Sequence, residues 1–333
     1  MKIAVFSTQS YDQEFFELAN AKKSCELLFF KERLTSSTAI LARDCDAVCV
    51  FVNDVVDADV LEALKKSGTN LILLRCAGFN NVNLVEAKRL EMSVRRVPSY
   101  SPHAVAEHAL ALILTLNRKT HRAFNRVREG NFSLEGLLGF DLHGSTVGII
   151  GTGTIGRLTA RPLQAMGCKI IGHDPFPSDE FTADGGQYVP LKELFENSDI
   201  ISLHLPLTPD SFHLINAETL SQMKSGVMLI NTSRGGLVDA KALIGALKSG
   251  RVGYVGLDVY EQEAELFFQD LTGVIIQDDT LQRLLTFPNV LITSHQAFFT
   301  KTAMTNIAET TLRNASDYLS GLPSDNEIKL DLT

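Results

Sequence analysis

The stretch that most restricts this chain is Thr146–Asp174, TVGIIGTGTIGRLTARPLQAMGCKIIGHD. It reads as strand, glycine turn, helix, strand and acid, an order that suits the pyrophosphate and adenosine ribose of a dinucleotide. Val147, Ile149 and Ile150 make a short apolar strand, and Gly151 permits the tight turn out of it. Gly153, lacking a side chain, lets backbone approach a pyrophosphate, and Gly156 lets the next helix pack closely on the sheet. The start of that helix offers unpaired N–H groups and a partial positive charge. Lys169 to Gly172 form the second strand, and Asp174 stands 18 residues after Gly156. A carboxylate there accepts both ribose hydroxyls and repels a 2′-phosphate, and Pro175, Phe176, Pro177 and Ser178 include no Lys or Arg to hold one. The expected cofactor is NAD rather than NADP. Pro162 removes an intrahelical bond, so it is expected in the first turns of the helix or at a kink.

Elsewhere strands and helices alternate. Lys2 to Phe6, Ala47 to Val52, Asn70 to Leu74 and Ser93 to Val97 read as buried strands, separated by polar helices such as Val60 to Ser67. That alternation predicts a parallel sheet covered by helices. Ser101-Pro102 reads as a helix cap followed by proline at the first helical position, opening a mostly apolar helix over 104–117. A basic amphipathic stretch, Arg118 to Arg128, follows. After Asp174 come strands at Ile200 to Leu203, Gly226 to Ile230, Gly253 to Gly256 and Val290 to Thr293, then a last helix over Lys301 to Leu319. Helices at 101–117 and 301–319 thus flank the nucleotide unit. The expected plan is a discontinuous domain, 1–100 plus 300–333, with a nucleotide domain, 101–299, inserted, and the active site in the cleft between them.

Composition excludes several classes. With 333 residues the chain suits two domains, and 45% hydrophobic residues are ample for packed cores. A net charge of −8 without a basic tract argues against nucleic acid. The five cysteines, Cys25, Cys45, Cys49, Cys76 and Cys168, form no CxxC pair and no metal spacing, so no metal is expected and free thiols in a reducing cytoplasm are. The N-terminal MKIAVFSTQS reads as a strand rather than a signal peptide, and the apolar run Ala109 to Leu116 is too short to span a bilayer, so no membrane role is expected.

Ligands of open α/β sheets bind beyond the carboxyl ends of the strands, so polar residues there are the candidates. Arg234 follows the strand ending at Ile230, beside Gly235 and Gly236. Its planar fork suits two-point binding of a carboxylate and polarisation of a carbonyl, although a surface ion pair also fits. Of eight histidines, His103, His108, His121, His143 and His213 fall on helices or loops, where a core or solvated role fits. His173 neighbours the ribose acid, and His204 suits either the cofactor or a structural hydrogen bond. His295 ends the final strand, where a proton donor for a substrate carbonyl is needed. The acidic run Asp258 to Glu265 holds several partners for it, among which spacing does not choose.

These residues resemble the D-specific 2-hydroxyacid dehydrogenases over essentially the whole chain. The motifs are RCAGFNNV from Arg75, VPSYSPHAVAEHAL from Val97, the glycine turn, NSDIISLHLPLT from Asn197, MKSGVMLINTSRGGLVD from Met223, GLDVYEQE from Gly256 and SHQAF from Ser294. The segment ELFFQD from Glu265, with IIQDDTLQRLL after it, resembles the bacterial D-lactate dehydrogenase branch. The resemblance implies two doubly wound α/β domains, a Rossmann NAD-binding domain inserted into a flavodoxin-like substrate domain. It implies that Arg234 binds the substrate carboxylate and polarises the keto group, that His295 transfers the proton and that Glu263 pairs with it. Backbone around Cys76, Ala77 and Gly78 holds the carboxylate, and Tyr100, Phe298 and Phe51 wall a methyl-sized pocket. Thr154, Ile155, Asp174, His204, Leu205, Pro206, Ser211, Thr232, Ser233 and Asp258 join the three glycines, and Arg234, around NAD. Two positions depart from relatives: Thr154 replaces a basic or amide residue, and Ser211 an asparagine. The implied reaction is reduction of pyruvate to D-lactate, in a homodimer or homotetramer joined through the 104–117 helix and the arm after it. Other 2-keto acids, or a non-catalytic NAD sensor on the same fold, are the competing readings.

Overall fold

The structure, a computed structural model, describes residues 1–22 and 24–329, so residues 330–333 of the expected 300–333 segment lie outside the described residues. The chain divides into two compact units: Met1–Ser101 with the chain from Phe299 onward, and Pro102–Phe298.

The first unit carries five parallel strands, β1 Lys2–Val5, β2 Glu26–Phe29, β3 Ala47–Val50, β4 Leu71–Leu74 and β5 Ser93–Arg96, in the order β2-β1-β3-β4-β5. This is the flavodoxin-like order. Every residue of β3 (AVCV) and β4 (LILL) is buried, as expected for central strands covered on both faces. Helix Ala58–Lys66 starts where Asp57 accepts from Val60 N at 3.0 Å, and it buries Val60, Leu61 and Leu64 along one stripe. Helix Lys301–Leu319, capped by Thr300, packs on helix Ser10–Ala19 and β4. The strand β2 does not show in the sequence reading. It is an edge strand of four residues, half exposed, and its pairing with β1 rather than an apolar run defines it.

The second unit has seven parallel strands: β6 Thr146–Ile150, β7 Lys169–His173, β8 Gln187–Tyr188, β9 Ile200–Leu203, β10 Val227–Asn231, β11 Val252–Leu257 and β12 Val290–Ile292. Their order is β12-β11-β10-β9-β6-β7-β8. Strand order reverses at β6, a Rossmann arrangement whose switch point lies between β6 and β9. The two-residue β8, another edge, also escapes the sequence reading. Helix Pro102–Arg118 approaches β11 closely, because a Cβ on Gly256 would meet Leu116 and Leu112. Pro162 is the ninth of twelve residues in helix Thr154–Ala165. It therefore lies in the interior and not the first turn, and the helix continues beyond it, with Met166 N donating to Pro162 O at 3.0 Å. Helix Thr120–Arg128 buries none of its residues.

Candidate active site

The glycine turn is wedged between strand ends. Gly151 has φ +90, its N–H donates to His173 O at 2.9 Å, and a Cβ there would overlap the carbonyl of His204. A Cβ on Gly156 would overlap the carbonyl oxygen of Gly151, so the first turn of helix Thr154–Ala165 rests directly on the loop. Gly153 differs: a Cβ there would meet nothing within 4 Å. Gly153 and Thr154 are exposed, and Gly153 caps the helix without a side chain, leaving open space before its N–H groups. At the end of β7, Asp174 accepts from Thr152 N at 2.7 Å and from Phe176 N at 2.9 Å, which fixes its carboxylate at the edge of that space.

The neighbouring strand ends carry two enclosed polar atoms, Thr232 Oγ1 and His204 Nδ1, with no hydrogen-bond partner among the described residues. Open backbone, a helix N-terminus and orphaned hydrogen-bonding groups are what a dinucleotide site requires, so these residues fit NAD. Leu205 and Pro206 continue the same edge after His204, while Ile155 lies in the first helical turn. His204 Nε2 sits 2.8 Å from Ser202 Oγ. The residue as a whole is only partly covered, yet its unpartnered nitrogen is enclosed, and burial holds its pKa down, to about 4. A histidine with a depressed native pKa binds fewer protons folded than unfolded. Stability is therefore flat above about pH 6.5 and falls as pH drops from there toward 4, by about 2 kcal/mol at pH 5. His204→Gln keeps an amide where Nε2 faces Ser202. Denaturant titrations at pH 7 and pH 5 should show it losing that much less stability than the parent, and equal losses would place the acid sensitivity elsewhere.

Three residues expected at the cofactor have side chains that are also bonded within the protein. Ser211 is buried; its hydroxyl donates to Pro206 O and accepts from Thr208 N, both at 2.8 Å, so it closes its own turn. Asp258 is fully buried and its carboxylate accepts from Thr293 Oγ1 at 2.6 Å, Gln296 N at 2.8 Å and Ala297 N at 2.9 Å. Burial raises its pKa, but hydrogen bonds from His108, Thr293 and Ala297 outweigh that and hold it below the usual carboxylate value. Ser233 likewise donates its hydroxyl to Leu203 O at 2.7 Å, tying β10 to β9.

Among the acids of the 258–265 run, the fold selects one partner for His295. His295 Nδ1 lies 2.6 Å from Glu263 Oε1, and Glu263 Oε2 accepts from Tyr260 N at 2.9 Å. The side chain of Glu265, in the same run, lies outside the described residues. His295 adopts φ +54, a left-handed conformation held by its N–H on Asp258 O at 2.7 Å. Phe298 meets the imidazole edge-on, with ring centroids 6.4 Å apart. Arg234 follows β10 on a turn secured by the buried Asn231, whose side chain donates to Arg234 O at 2.8 Å and accepts from Ser233 N at 3.0 Å. One guanidinium N–H donates to Ser233 O at 2.7 Å. A Cβ on Gly235 would overlap backbone at Tyr260 and Glu261, so the Arg234 turn packs on the turn that leads to Glu263.

Within the first unit, Cys76 Sγ lies 3.3 Å from Gly78 O, and Arg96 donates to Ala77 O at 2.8 Å. Phe51 lies under the buried Arg75 guanidinium, 4.7 Å from ring centroid to Cζ. Tyr100 O accepts from Asn306 at 2.6 Å.

Sequence reading missed three neighbours of the pair. Phe268, itself left-handed at φ +65, tilts its ring against His295 at 5.8 Å. Tyr260 hydroxyl donates to Asp278 at 2.8 Å, anchoring the Glu263 turn to the cap of helix Asp279–Leu285. His108 reaches Thr293 at 3.0 Å. All three lie within motifs that carry the family resemblance, His108 in VPSYSPHAVAEHAL, Tyr260 in GLDVYEQE and Phe268 in ELFFQD, but no local pattern sets them apart there.

Residues 110–297 match the family described as D-isomer specific 2-hydroxyacid dehydrogenase, NAD binding domain. The chain is 56% identical over 322 residues to 2-hydroxyacid dehydrogenase A of Aspergillus oryzae, covering 96% of this chain and 92% of that protein. It is 51% identical to the D-lactate dehydrogenase of Escherichia coli, covering 98% of this chain and 100% of that one. The apo structure of D-lactate dehydrogenase from Escherichia coli superposes with a TM-score of 0.91 at 49% identity, covering 99% of this chain and 100% of that chain.

Proposed function

The chain belongs to the D-isomer specific 2-hydroxyacid dehydrogenases, and from that premise we propose that it reversibly reduces pyruvate to D-lactate with NADH. The observation that carries the reading is the 2.6 Å contact of His295 Nδ1 with Glu263, at the carboxyl edge of a sheet whose glycine turn fits NAD. When bound, NADH supplies the hydride for C2 of the keto acid. A carboxylate only accepts hydrogen bonds when ionised, so Glu263 keeps a proton on Nδ1 and directs Nε2 to the substrate oxygen. His295 gives its Nε2 proton to that oxygen in reduction and takes it back in oxidation. Arg234 binds the substrate carboxylate and stabilises charge developing on the oxygen. The roles assigned from sequence to Cys76, Ala77, Gly78, Tyr100, Phe51 and Phe298 are part of the proposal. So are the contacts of Thr154, Ile155, Asp174, Pro206 and Thr232 with NAD.

The deciding assay incubates pyruvate and NADH with the protein and resolves the lactate formed on a chiral phase. D-lactate is expected, with pyruvate preferred over branched 2-keto acids; L-lactate, or equal rates on branched acids, overturns the reading. Arg234→Lys is expected to raise KM for pyruvate and lower kcat together, by about tenfold or more, because lysine has no planar fork. Unchanged steady-state constants would remove Arg234 from the carboxylate.

We also propose a homo-oligomer in the cytoplasm. Phe132, Leu134 and Leu138, after helix Thr120–Arg128, are 75%, 82% and 86% exposed, which favours burial against another copy. All five cysteines are free thiols, which suits a reducing compartment, and among the described residues no helix is long and apolar enough to cross a membrane.

A further inference from the structure

Behind the His295 loop lies a polar cluster that the proposed chemistry leaves unused. Asp258 grips this loop at four positions. Its carboxylate takes Thr293 Oγ1, Gln296 N and Ala297 N, and its main-chain oxygen takes His295 N. His108, on helix Pro102–Arg118, completes the cluster, with Nε2 3.0 Å from Thr293 Oγ1 and 3.4 Å from Asp258 Oδ1. The Thr293 hydroxyl hydrogen is committed to Asp258 at 2.6 Å, so the hydroxyl oxygen accepts from His108. That places a proton on Nε2 of His108.

We propose that His108 is a positioning residue for proton transfer: its Nε2–H, acting through Thr293 and Asp258, holds the His295 loop in the conformation that aims the imidazole. The physical need is specific. His295 has φ +54, and a left-handed non-glycine residue persists only where its surroundings over-determine it. The loop's main fastening is a fully buried carboxylate, which relaxes when a donor is lost. Among the described residues no hydrogen bond joins His108 to the glycine turn or to Arg234, so its effect falls on aim rather than on ligand binding.

The inference rests on His295 as the proton-transferring group, and the experiment separates the two. His108→Leu, His108→Gln, Thr293→Val and the His108→Leu/Thr293→Val double variant are compared with His295→Asn. Each is assayed for kcat, KM for pyruvate and NADH dissociation constant by fluorescence quenching. His108→Leu is expected to lose about 10- to 100-fold in kcat, the scale of a small misplacement of a catalytic group. Its KM and NADH affinity should stay within about threefold. Gln presents an N–H where Nε2 stood, so His108→Gln should recover most of the loss. Thr293→Val should match His108→Leu, and the double variant should be no worse than either single one. Full kcat in His108→Leu, no recovery in His108→Gln, or additive losses in the double variant would overturn the inference. If His108→Leu does not fold, Thr293→Val and His108→Gln carry the same comparison. Normal turnover in His295→Asn would instead overturn the function from which the inference starts.

Discussion

His295→Ala is expected to slow pyruvate reduction by about 10²–10⁴-fold in kcat, the usual worth of a general acid, while NADH binding persists. The structure isolates the effect. Glu263 spends one oxygen on His295 Nδ1 and the other on Tyr260 N, so the acid stays anchored when the imidazole is removed. Among the described residues, no hydrogen bond joins the glycine turn or Asp174 to either residue. Alanine is strained at φ +54, which adds a conformational cost to the loss of the acid. Asparagine tolerates the left-handed region, and His295→Asn therefore removes the acid while sparing the backbone. Both variants should show kcat and kcat/KM falling together, the mark of an interaction made in the transition state. Stopped-flow turnover near the parent rate in His295→Asn would exclude His295 as the proton donor.

The second large effect concerns the glycine turn, where two substitutions should separate folding from cofactor binding. In Gly156→Ala the new methyl overlaps the carbonyl oxygen of Gly151, a backbone atom fixed between β7 and β9. Overpacking of this kind costs about 1–3 kcal/mol of folding stability, so the melting temperature should drop. In Gly153→Ala the methyl enters empty space at an ordinary φ of −64. Its melting temperature should match the parent, yet NADH should bind more weakly, because that space is where backbone and pyrophosphate approach. Calorimetric titration of NADH alongside thermal unfolding reads both. A destabilised Gly153→Ala, or one that binds NADH as the parent does, would contradict the position given to the pyrophosphate.

Much of this molecule is legible without coordinates. Central strands such as LILL and AVCV announce themselves, because a strand buried on both faces must be apolar throughout. The glycine turn is legible because each glycine answers a local backbone demand, and the family motifs carry Arg234 and His295 to their strand ends. The edge strands Glu26–Phe29 and Gln187–Tyr188 are illegible, since only pairing with a neighbour defines them. Pro162 stands in the interior of helix Thr154–Ala165, where its ring removes one intrahelical bond without ending the helix, and the sequence alone left its place in the helix open.

Residue order alone thus sufficed for the cofactor, the layered α/β plan and the residue types able to move a proton. Spacing left the acid for His295 open and the family resemblance pointed to Glu263; the fold brings that carboxylate to 2.6 Å from Nδ1 and sends the buried Asp258 beneath the loop. It also turned Ser211 into its own turn and brought His108 and Phe268 against the same loop. The reason is that a turn's conformation is set over a few neighbouring residues, whereas the partners of a side chain are set by strands and helices far apart in the chain.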